Sequence, residues 1–148
     1  MSSLDDLYRE IILDHYRTPR NRGELEPPAV RVEGFNPLCG DEIVVYLDVR
    51  DGVVTDIKLT GQGCSISQAS SSLMSAAVKG KSVDEARDII ATFKDLMMGP
   101  SDAEHSPGEL RRLGELAALA GVVKFPVRIK CATLAWNTLT QALDETSN

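Results

Sequence analysis

The sequence predicts an α+β fold, in which helices pack on one face of a three-stranded antiparallel sheet. Residues 42–50 and 53–60 have strand character and are joined by Asp51 and Gly52, a dipeptide that strongly favours a two-residue β-hairpin. Residues 30–33 alternate between apolar and charged side chains and supply a third strand. Stretches with apolar residues at helical spacing lie before and after these strands.

The N-terminal stretch is predicted to form an amphipathic helix. Apolar residues recur at helical spacing from Leu4 to His15, and the helix should end before Pro19, because the residue preceding a proline avoids the helical region. His15 lies on the apolar stripe, where a histidine is more often a packed core residue than a metal ligand. Three basic residues follow, and we expect solvated surface or a docking contact there: Arg17, Arg20 and Arg22.

Four further helices are predicted after the hairpin. Residues 64–79 are rich in small side chains and precede Gly80. Ser82 and Glu85 form a capping box that begins the next helix. A second capping box precedes a helix at residues 110–119, and the last helix begins at about residue 126.

Length and charge narrow the class of protein. A chain of 148 residues suits a single domain, residues 1–148, with a helical insertion at about residues 100–121. The net charge of −6 and a pI near 4.9 disfavour nucleic acid as a partner. The apolar stretches are too short to span a membrane, and the N-terminus lacks a hydrophobic signal region. We therefore expect a cytoplasmic protein that binds neither nucleic acid nor membrane.

The three cysteines are expected to converge. If Arg50 faces Val53 in the hairpin, the same register places Asp41 opposite Gln62 and Cys39 opposite Cys64, where paired Cβ atoms are about 4.5–5.5 Å apart. Asp41 lies two residues after Cys39, so both side chains should leave the same face of an extended strand. The third cysteine, Cys131, lies far downstream.

A Cys3Asp group has the number and type of ligands expected for tetrahedral zinc. The cysteines have two alternative explanations: buried cysteines that act as small hydrophobic residues, and a disulfide between Cys39 and Cys64. An odd cysteine count, the absence of a signal peptide and an acidic, cytosolic type of chain disfavour the disulfide. Each cysteine also lies beside glycine, acidic or basic residues instead of in an apolar run, which favours metal binding.

Three motifs that contain these cysteines resemble those of the IscU/NifU-N superfamily of iron–sulfur assembly proteins, and more narrowly its SufU branch. They are Asn-Pro-Leu-Cys-Gly-Asp at 36–41, Gly-Gln-Gly-Cys-Ser-Ile-Ser at 61–67 and Arg-Ile-Lys-Cys-Ala-Thr-Leu-Ala-Trp at 128–136. The resemblance covers nearly the whole chain. The insertion before Cys131 is also similar to that of SufU-type chains.

Two positions depart from the IscU pattern. IscU-type chains have a histidine immediately before the last cysteine, where this chain has Lys130. Their Leu-Pro-Pro-Val-Lys chaperone-recognition motif is replaced by Lys-Phe-Pro-Val-Arg at residues 124–128. Both departures weigh against a cluster scaffold and against recognition by the dedicated Hsp70 chaperone.

The resemblance implies a zinc-dependent sulfur acceptor that takes persulfide sulfur from a SufS-type cysteine desulfurase. The sulfur would pass towards iron–sulfur cluster assembly, with a downstream Suf scaffold complex as a further partner. An IscU-like scaffold that binds an iron–sulfur cluster through the same ligands, or a non-reactive zinc interaction module, are the alternatives. Whether the chain counts as an enzyme in its own right or as a desulfurase accessory protein stays open.

The expected site residues follow from the resemblance and from the neighbouring sequence. The zinc ligands would be Cys39, Asp41, Cys64 and Cys131. Cys39 is expected to accept sulfur because it lies on a loop between Pro37 and Gly40, whereas Cys64 and Cys131 are anchored near helix starts. Asp41 and Arg128 are assigned supporting roles in the transfer. Positive charge just before Cys131 would favour a thiolate.

Overall fold

The computed structural model describes residues 4–37, 40–98, 114–124 and 126–146, and it confirms the predicted fold class. Helix α1 and the three strands come first: α1 Leu4–Arg17, β1 Val30–Asn36, β2 Asp41–Arg50 and β3 Val53–Gln62. The remaining elements are α2 Ser65–Val78, α3 Val83–Met98, a 3₁₀ segment Gly114–Lys124 and α4 Pro126–Thr146. Among the described helices, none has the length and apolar character needed to cross a bilayer.

The strands form one antiparallel sheet in the order β1-β2-β3. Asp51 and Gly52 have φ values of 53° and 75°, as a type I′ hairpin turn requires at both central positions. Arg50 pairs with Val53, as the sequence predicts. The turn chemistry therefore determines how the hairpin begins.

The predicted register is wrong beyond the first pairs of the hairpin, because β3 contains a bulge. Val49 pairs with Val54, but Asp48 pairs with Asp56, so one extra residue of β3 is accommodated between them. From this point on, each residue of β2 faces the β3 residue one position later than the one predicted. Gln62 faces Glu42, not Asp41. The expected pairing of Cys39 with Cys64 relied on the same register, and Cys39 lies outside the described residues.

Helices cover one face of the sheet. The buried side chains of this face are Val32, Ile43, Val45, Leu47, Val54, Ile57 and Leu59. Beneath them, the Trp136 ring of α4 stacks on the Phe93 ring of α3, with centroids 4.1 Å apart and planes inclined by 16°. On the opposite face, Arg31 and Glu33 are exposed and form an ion pair at 2.7 Å.

The outer edge of β3 is occupied by two other segments of the chain. Leu59 N–H donates to the Asn21 carbonyl, and Gly23 N–H donates to the Leu59 carbonyl. Further along the strand, Val54 N–H donates to the Lys81 carbonyl. The connections after α1 and after α2 therefore supply hydrogen-bond partners to part of the outer edge of this strand.

The helix predicted at residues 110–119 is only partly within the described residues, and there it has a different form. Gly114–Lys124 is a 3₁₀ segment that continues past Gly121. Gly114 begins it with φ +60°, and glycine lowers the stability of an α-helix. The rest of the expected insertion at 100–121, residues 100–113, lies outside the described part of the chain.

His15 is a packed core residue that joins three helical elements. It is buried on α1, with its Nδ1 2.7 Å from Ser72 Oγ of α2. Its Nε2 lies 2.9 Å from Glu115 Oε2 of the 3₁₀ segment. Since both ring nitrogens have protein partners, the structure agrees with a packing role for this histidine.

The cap at the start of α3 offers a test of the fold. Glu85 N–H donates to Ser82 Oγ at 3.1 Å, and the Ser82 hydroxyl donates to Glu85 Oε1 at 3.3 Å. Ser82→Ala should lower the free energy of unfolding in urea by about 1 kcal/mol, because a helix amide loses its acceptor. Ser82→Asp supplies another acceptor and should stay close to wild type. Equal losses in both variants would contradict a capping role.

Candidate metal centre

Three potential ligands meet where one strand and two helices begin. Asp41 is the first residue of β2, Cys64 is the N-cap of α2, and Cys131 lies in the second turn of α4. One ligand atom from each residue lies within 4.8 Å of the others. Asp41 and Cys131 are each only 1% exposed, whereas Cys64 is half-buried. Of these three residues, Cys64 is therefore the one with appreciable contact with solvent.

The carboxylate of Asp41 uses one oxygen to hold this arrangement together. Its Oδ1 accepts a hydrogen bond from Cys64 N–H at 3.0 Å. Its Oδ2 is buried, and among the described residues it has no hydrogen-bond partner. Burying a charged oxygen without a partner is costly. An oxygen in this position beside two thiols is therefore suited to bind a cation.

The start of α2 leaves the Cys64 thiol available. Cys64 has extended backbone, with φ −71° and ψ 169°, and its side chain makes no capping hydrogen bond. The sequence prediction that Cys64 begins a helix is confirmed.

Glycine at position 63 permits the close approach of strand and helix. A Cβ atom on Gly63 would overlap Asp41 Oδ1 and Ser67 Oγ. Gly61 has φ +139°, and a Cβ there would overlap the Glu42 carbonyl oxygen. Both glycines therefore allow backbone to pass directly beside the centre.

The basic residues that precede Cys131 point away from the core. Arg128 and Lys130 are exposed on the first turns of α4, whereas Cys131 is buried. This distribution does not assign a role to Arg128. It places a positive charge at the surface within a turn of a buried thiol, so that a binding partner could contact it.

The arginines after α1 have different surroundings. Arg20 donates to the Asp14 carboxylate at 2.6 Å, and this hydrogen bond lowers the pKa of the Asp14 carboxyl. Arg22 lies beside the C-terminal end of β3. Its Nη1 donates to the Gly61 carbonyl at 3.4 Å and to Gln68 Oε1 at 3.3 Å. The sequence predicts solvated surface or a docking contact for these arginines, and it does not predict the contact between Arg22 and the backbone that leads to Cys64.

The donor set is compatible with a metal ion of zinc size. Tetrahedral zinc with Zn–S bonds of about 2.3 Å has sulfur atoms about 3.8 Å apart, so donors within 4.8 Å need only a small inward movement. Two sulfurs and one oxygen are supplied by the described residues. Cys39, expected as the fourth ligand, lies outside them.

The fold and the centre together define a small α+β protein with a thiol–carboxylate centre at one end of its sheet. The family model of the NifU-like N-terminal domain matches residues 7–132. The chain belongs to this family, as its three cysteine motifs indicate.

Individual relatives agree with the family match. The zinc-dependent sulfurtransferase SufU of Bacillus subtilis is 45% identical over 138 residues, which are 93% of this chain and 90% of that protein. The iron–sulfur cluster assembly scaffold protein IscU of Streptococcus pyogenes is 41% identical over 148 residues, covering 100% of this chain and 89% of that protein.

A solved structure also matches the fold. The crystal structure of FiSufU, a proposed iron–sulfur cluster assembly scaffold protein for the SUF system from Fervidobacterium islandicum, is similar with a TM-score of 0.82 and 32% identity. The match covers 95% of this chain and 99% of that chain. The sequence prediction of an IscU/SufU-like fold is confirmed.

The unpartnered Oδ2 atom of Asp41 leads to a prediction. Asp41→Asn keeps an oxygen that can accept the Cys64 N–H but removes a buried charge. We expect the metal-free variant to be more stable than metal-free wild type by about 1 kcal/mol or more, and to gain less stability when Zn²⁺ is added. Urea unfolding with chelator and with Zn²⁺ measures both effects.

The matched control for this test is the neighbouring residue Glu42, which is exposed. Glu42→Gln makes the same change in net charge at the surface and should leave both stabilities near wild type. If metal-free Asp41→Asn is less stable than metal-free wild type, the Asp41 carboxylate is already stabilised by the protein without a cation, and the prediction is wrong.

Proposed function

We propose that this chain is a zinc-dependent sulfur acceptor that supplies persulfide sulfur for iron–sulfur cluster assembly. The observation that carries the proposal is the convergence of Asp41, Cys64 and Cys131, whose carboxylate has one buried oxygen with no described partner. The Bacillus subtilis relative, named a zinc-dependent sulfurtransferase, supports the choice of metal and reaction class.

In this proposal the zinc ligands are Cys39, Asp41, Cys64 and Cys131. Cys39 is separated from Asp41 by one residue, so covalent geometry keeps their Cα atoms within about 7 Å of each other. Asn36 pairs with Asp41, and Gly40 N–H donates to the Asn36 carbonyl at 2.8 Å. The ends of the connection that contains Cys39 are therefore fixed beside the centre. Zinc, when bound, would keep the coordinating thiols deprotonated.

The four proposed ligands have different roles. Cys64 and Cys131 are held by α2 and α4, so they suit the role of permanent ligands. Asp41 holds the start of α2 through Cys64 N–H and offers its other oxygen to the cation. Cys39 lies between Pro37 and Gly40, in the connection from β1 to β2 and not on a helix-bearing element, so the proposal assigns the reactive thiolate to it.

The proposed transfer step takes place at Cys39. Its thiolate attacks the outer sulfur of a cysteine persulfide on the donor protein. A sulfur–sulfur bond forms to Cys39, the donor's sulfur–sulfur bond breaks, and the donor cysteine leaves as a thiolate. The products are a persulfide on Cys39 and a regenerated donor, with no net oxidation or reduction. One thiolate is consumed and one is released, so the step creates no net charge.

The sulfur donor in this proposal is a SufS-type cysteine desulfurase, and the sulfur passes on to a Suf scaffold complex. Arg128, exposed near the centre, is assigned a supporting role at the contact with the donor. The reaction needs reduced thiols, which fits the cytoplasm. Residues 1–148 would act as one domain. No role for nucleic acid or membrane enters the proposal.

A cluster scaffold is the second candidate, because the Streptococcus pyogenes relative is named as one. The same four ligands could hold an iron–sulfur cluster, since thiolates also suit iron. The two functions differ in a simple observation. A scaffold should assemble a stable coloured cluster in the absence of zinc, whereas a sulfur acceptor should not. A non-reactive zinc module would acquire no persulfide at all.

Zinc content tests the ligand assignment. The purified protein should hold about one zinc per chain, and Cys64→Ala or Cys131→Ala should lose the metal together with the thermal stability that it provides. Metal analysis and thermal unfolding measure the two effects. Thr138→Ala is a control, because Thr138 is a buried residue of α4 whose hydroxyl donates to the Leu134 carbonyl of its own helix. Full zinc occupancy in both cysteine variants would refute the assignment.

The identity of the acceptor is tested by mapping the persulfide. After reaction with a SufS-type desulfurase and cysteine, alkylation and mass spectrometry should find the added sulfur on Cys39. Cys39→Ala should accept no sulfur and should fail to stimulate the desulfurase. Asp41→Ala should keep the fold and alter the turnover. Sulfur found only on Cys64 or Cys131, or normal transfer by Cys39→Ala, would rule out the assignment.

A further inference from the structure

We propose that Ser70 is a positioning residue for the metal centre, because its hydroxyl sets the distance between the helices that carry Cys64 and Cys131. The inference deepens the proposed function and rests on its metal site. Ser70 does not touch the proposed ligands. It acts through the backbone of α4 beside Cys131, and through the length of α2 that connects it to Cys64.

The hydroxyl of Ser70 joins α2 directly to α4. Ser70 Oγ donates to the Ala132 carbonyl at 2.6 Å and accepts a hydrogen bond from Trp136 Nε1 at 3.0 Å. All three residues have 0% exposed surface. A serine hydroxyl has one hydrogen to donate, and here that hydrogen crosses to the neighbouring helix. Water cannot replace either bond without opening the core.

The position of these bonds links them to the thiols. Ala132 directly follows Cys131 in the chain, so its carbonyl belongs to the same turn of α4 as the thiol. Ser70 lies six residues after Cys64, which is about 9 Å along a helix axis. The contact between α2 and α4 is therefore made within two turns of both sulfur-bearing residues.

The indole ring keeps α4 from sliding along α2. Trp136 stacks on Phe93 of α3, so its ring is held on one side by α3 while Nε1 is held by Ser70. Ala69 of α2 and Ala135 of α4 are also buried and have small side chains, which allow close approach of the two helices. Small side chains give no directional restraint. The hydrogen bonds of the Ser70 hydroxyl are directional, so they fix the position of α4 along α2.

A neighbouring serine provides a matched comparison. Ser71 is also buried on α2, but its hydroxyl donates to the Ser67 and Gln68 carbonyls of its own helix. Removing the Ser71 hydroxyl deletes one buried oxygen from the same helix without removing a hydrogen bond to α4. The two positions therefore separate the cost of losing a buried hydroxyl from the effect of losing the link between the helices.

The experiment compares Zn²⁺ affinity and the Co²⁺ absorption spectrum across four proteins. They are wild type, Ser70→Ala, Ser71→Ala and the double variant Ser70→Ala with Trp136→Phe. The double variant leaves no indole N–H without an acceptor, so it separates loss of positioning from an unsatisfied donor. Zn²⁺ affinity is measured by competition with a chromophoric chelator. The Co²⁺ bands report ligand geometry, and circular dichroism of the metal-free proteins checks their folding.

Ser70→Ala and the double variant should each bind Zn²⁺ about ten-fold more weakly, as is typical when a residue that orients metal ligands is removed. Their Co²⁺ bands should be weaker than those of wild type, because the ligands are less well held in tetrahedral geometry. Ser71→Ala should match wild type in both measurements.

Wild-type Zn²⁺ affinity and Co²⁺ spectrum in the folded double variant would overturn the inference, as would an equal loss in Ser71→Ala. If wild type itself binds no Zn²⁺, the proposed function fails instead. Zinc binding by wild type with unchanged binding by the Ser70 variants leaves the proposed function standing and refutes the positioning role alone.

Discussion

The hydrogen bond from Cys64 N–H to Asp41 Oδ1 is the contact on which the arrangement of the centre depends. It joins the first residue of a strand to the residue that begins a helix, at 3.0 Å. It also orients the carboxylate so that its second oxygen is buried beside two thiols. The protein thus places a charged oxygen where solvent cannot reach it. Metal-free folding bears this electrostatic cost, and a cation would relieve it.

Packing around the centre relies on small side chains instead of large ones. Gly63 lets the Asp41 carboxylate lie against the backbone that enters α2. The serines and alanines of α2 let α1 and α4 approach it closely, while hydroxyls at Ser70 and Ser72 make bonds to those neighbours. These two hydroxyls are therefore contacts between helices. They give a precise relative position that apolar packing alone would leave adjustable.

The sequence predicted the features that depend on local chemistry. Asp51 and Gly52 determined the hairpin turn, and Ser82 with Glu85 determined the start of α3. The bulge in β3 was not predicted, although the spacing of its inward residues, Val54 and Ile57, breaks strict alternation. The buried Oδ2 atom of Asp41, which has no partner among the described residues, also could not be predicted from the sequence. It depends on packing between elements that are distant in the chain, and no local pattern reports such packing.

The hydrogen bonds that the segment after α1 makes to the edge of β3 have a consequence for truncated forms of the chain. Asn21 and Gly23 occupy hydrogen-bonding groups that a strand edge would otherwise offer to another molecule. Deletion of the first 23 residues would therefore do more than remove a helix. It would leave the N–H and carbonyl groups of Leu59 on the edge of β3 without these partners. Proteolysis near the N-terminus would then favour aggregation, even where the centre and most of the core remain intact.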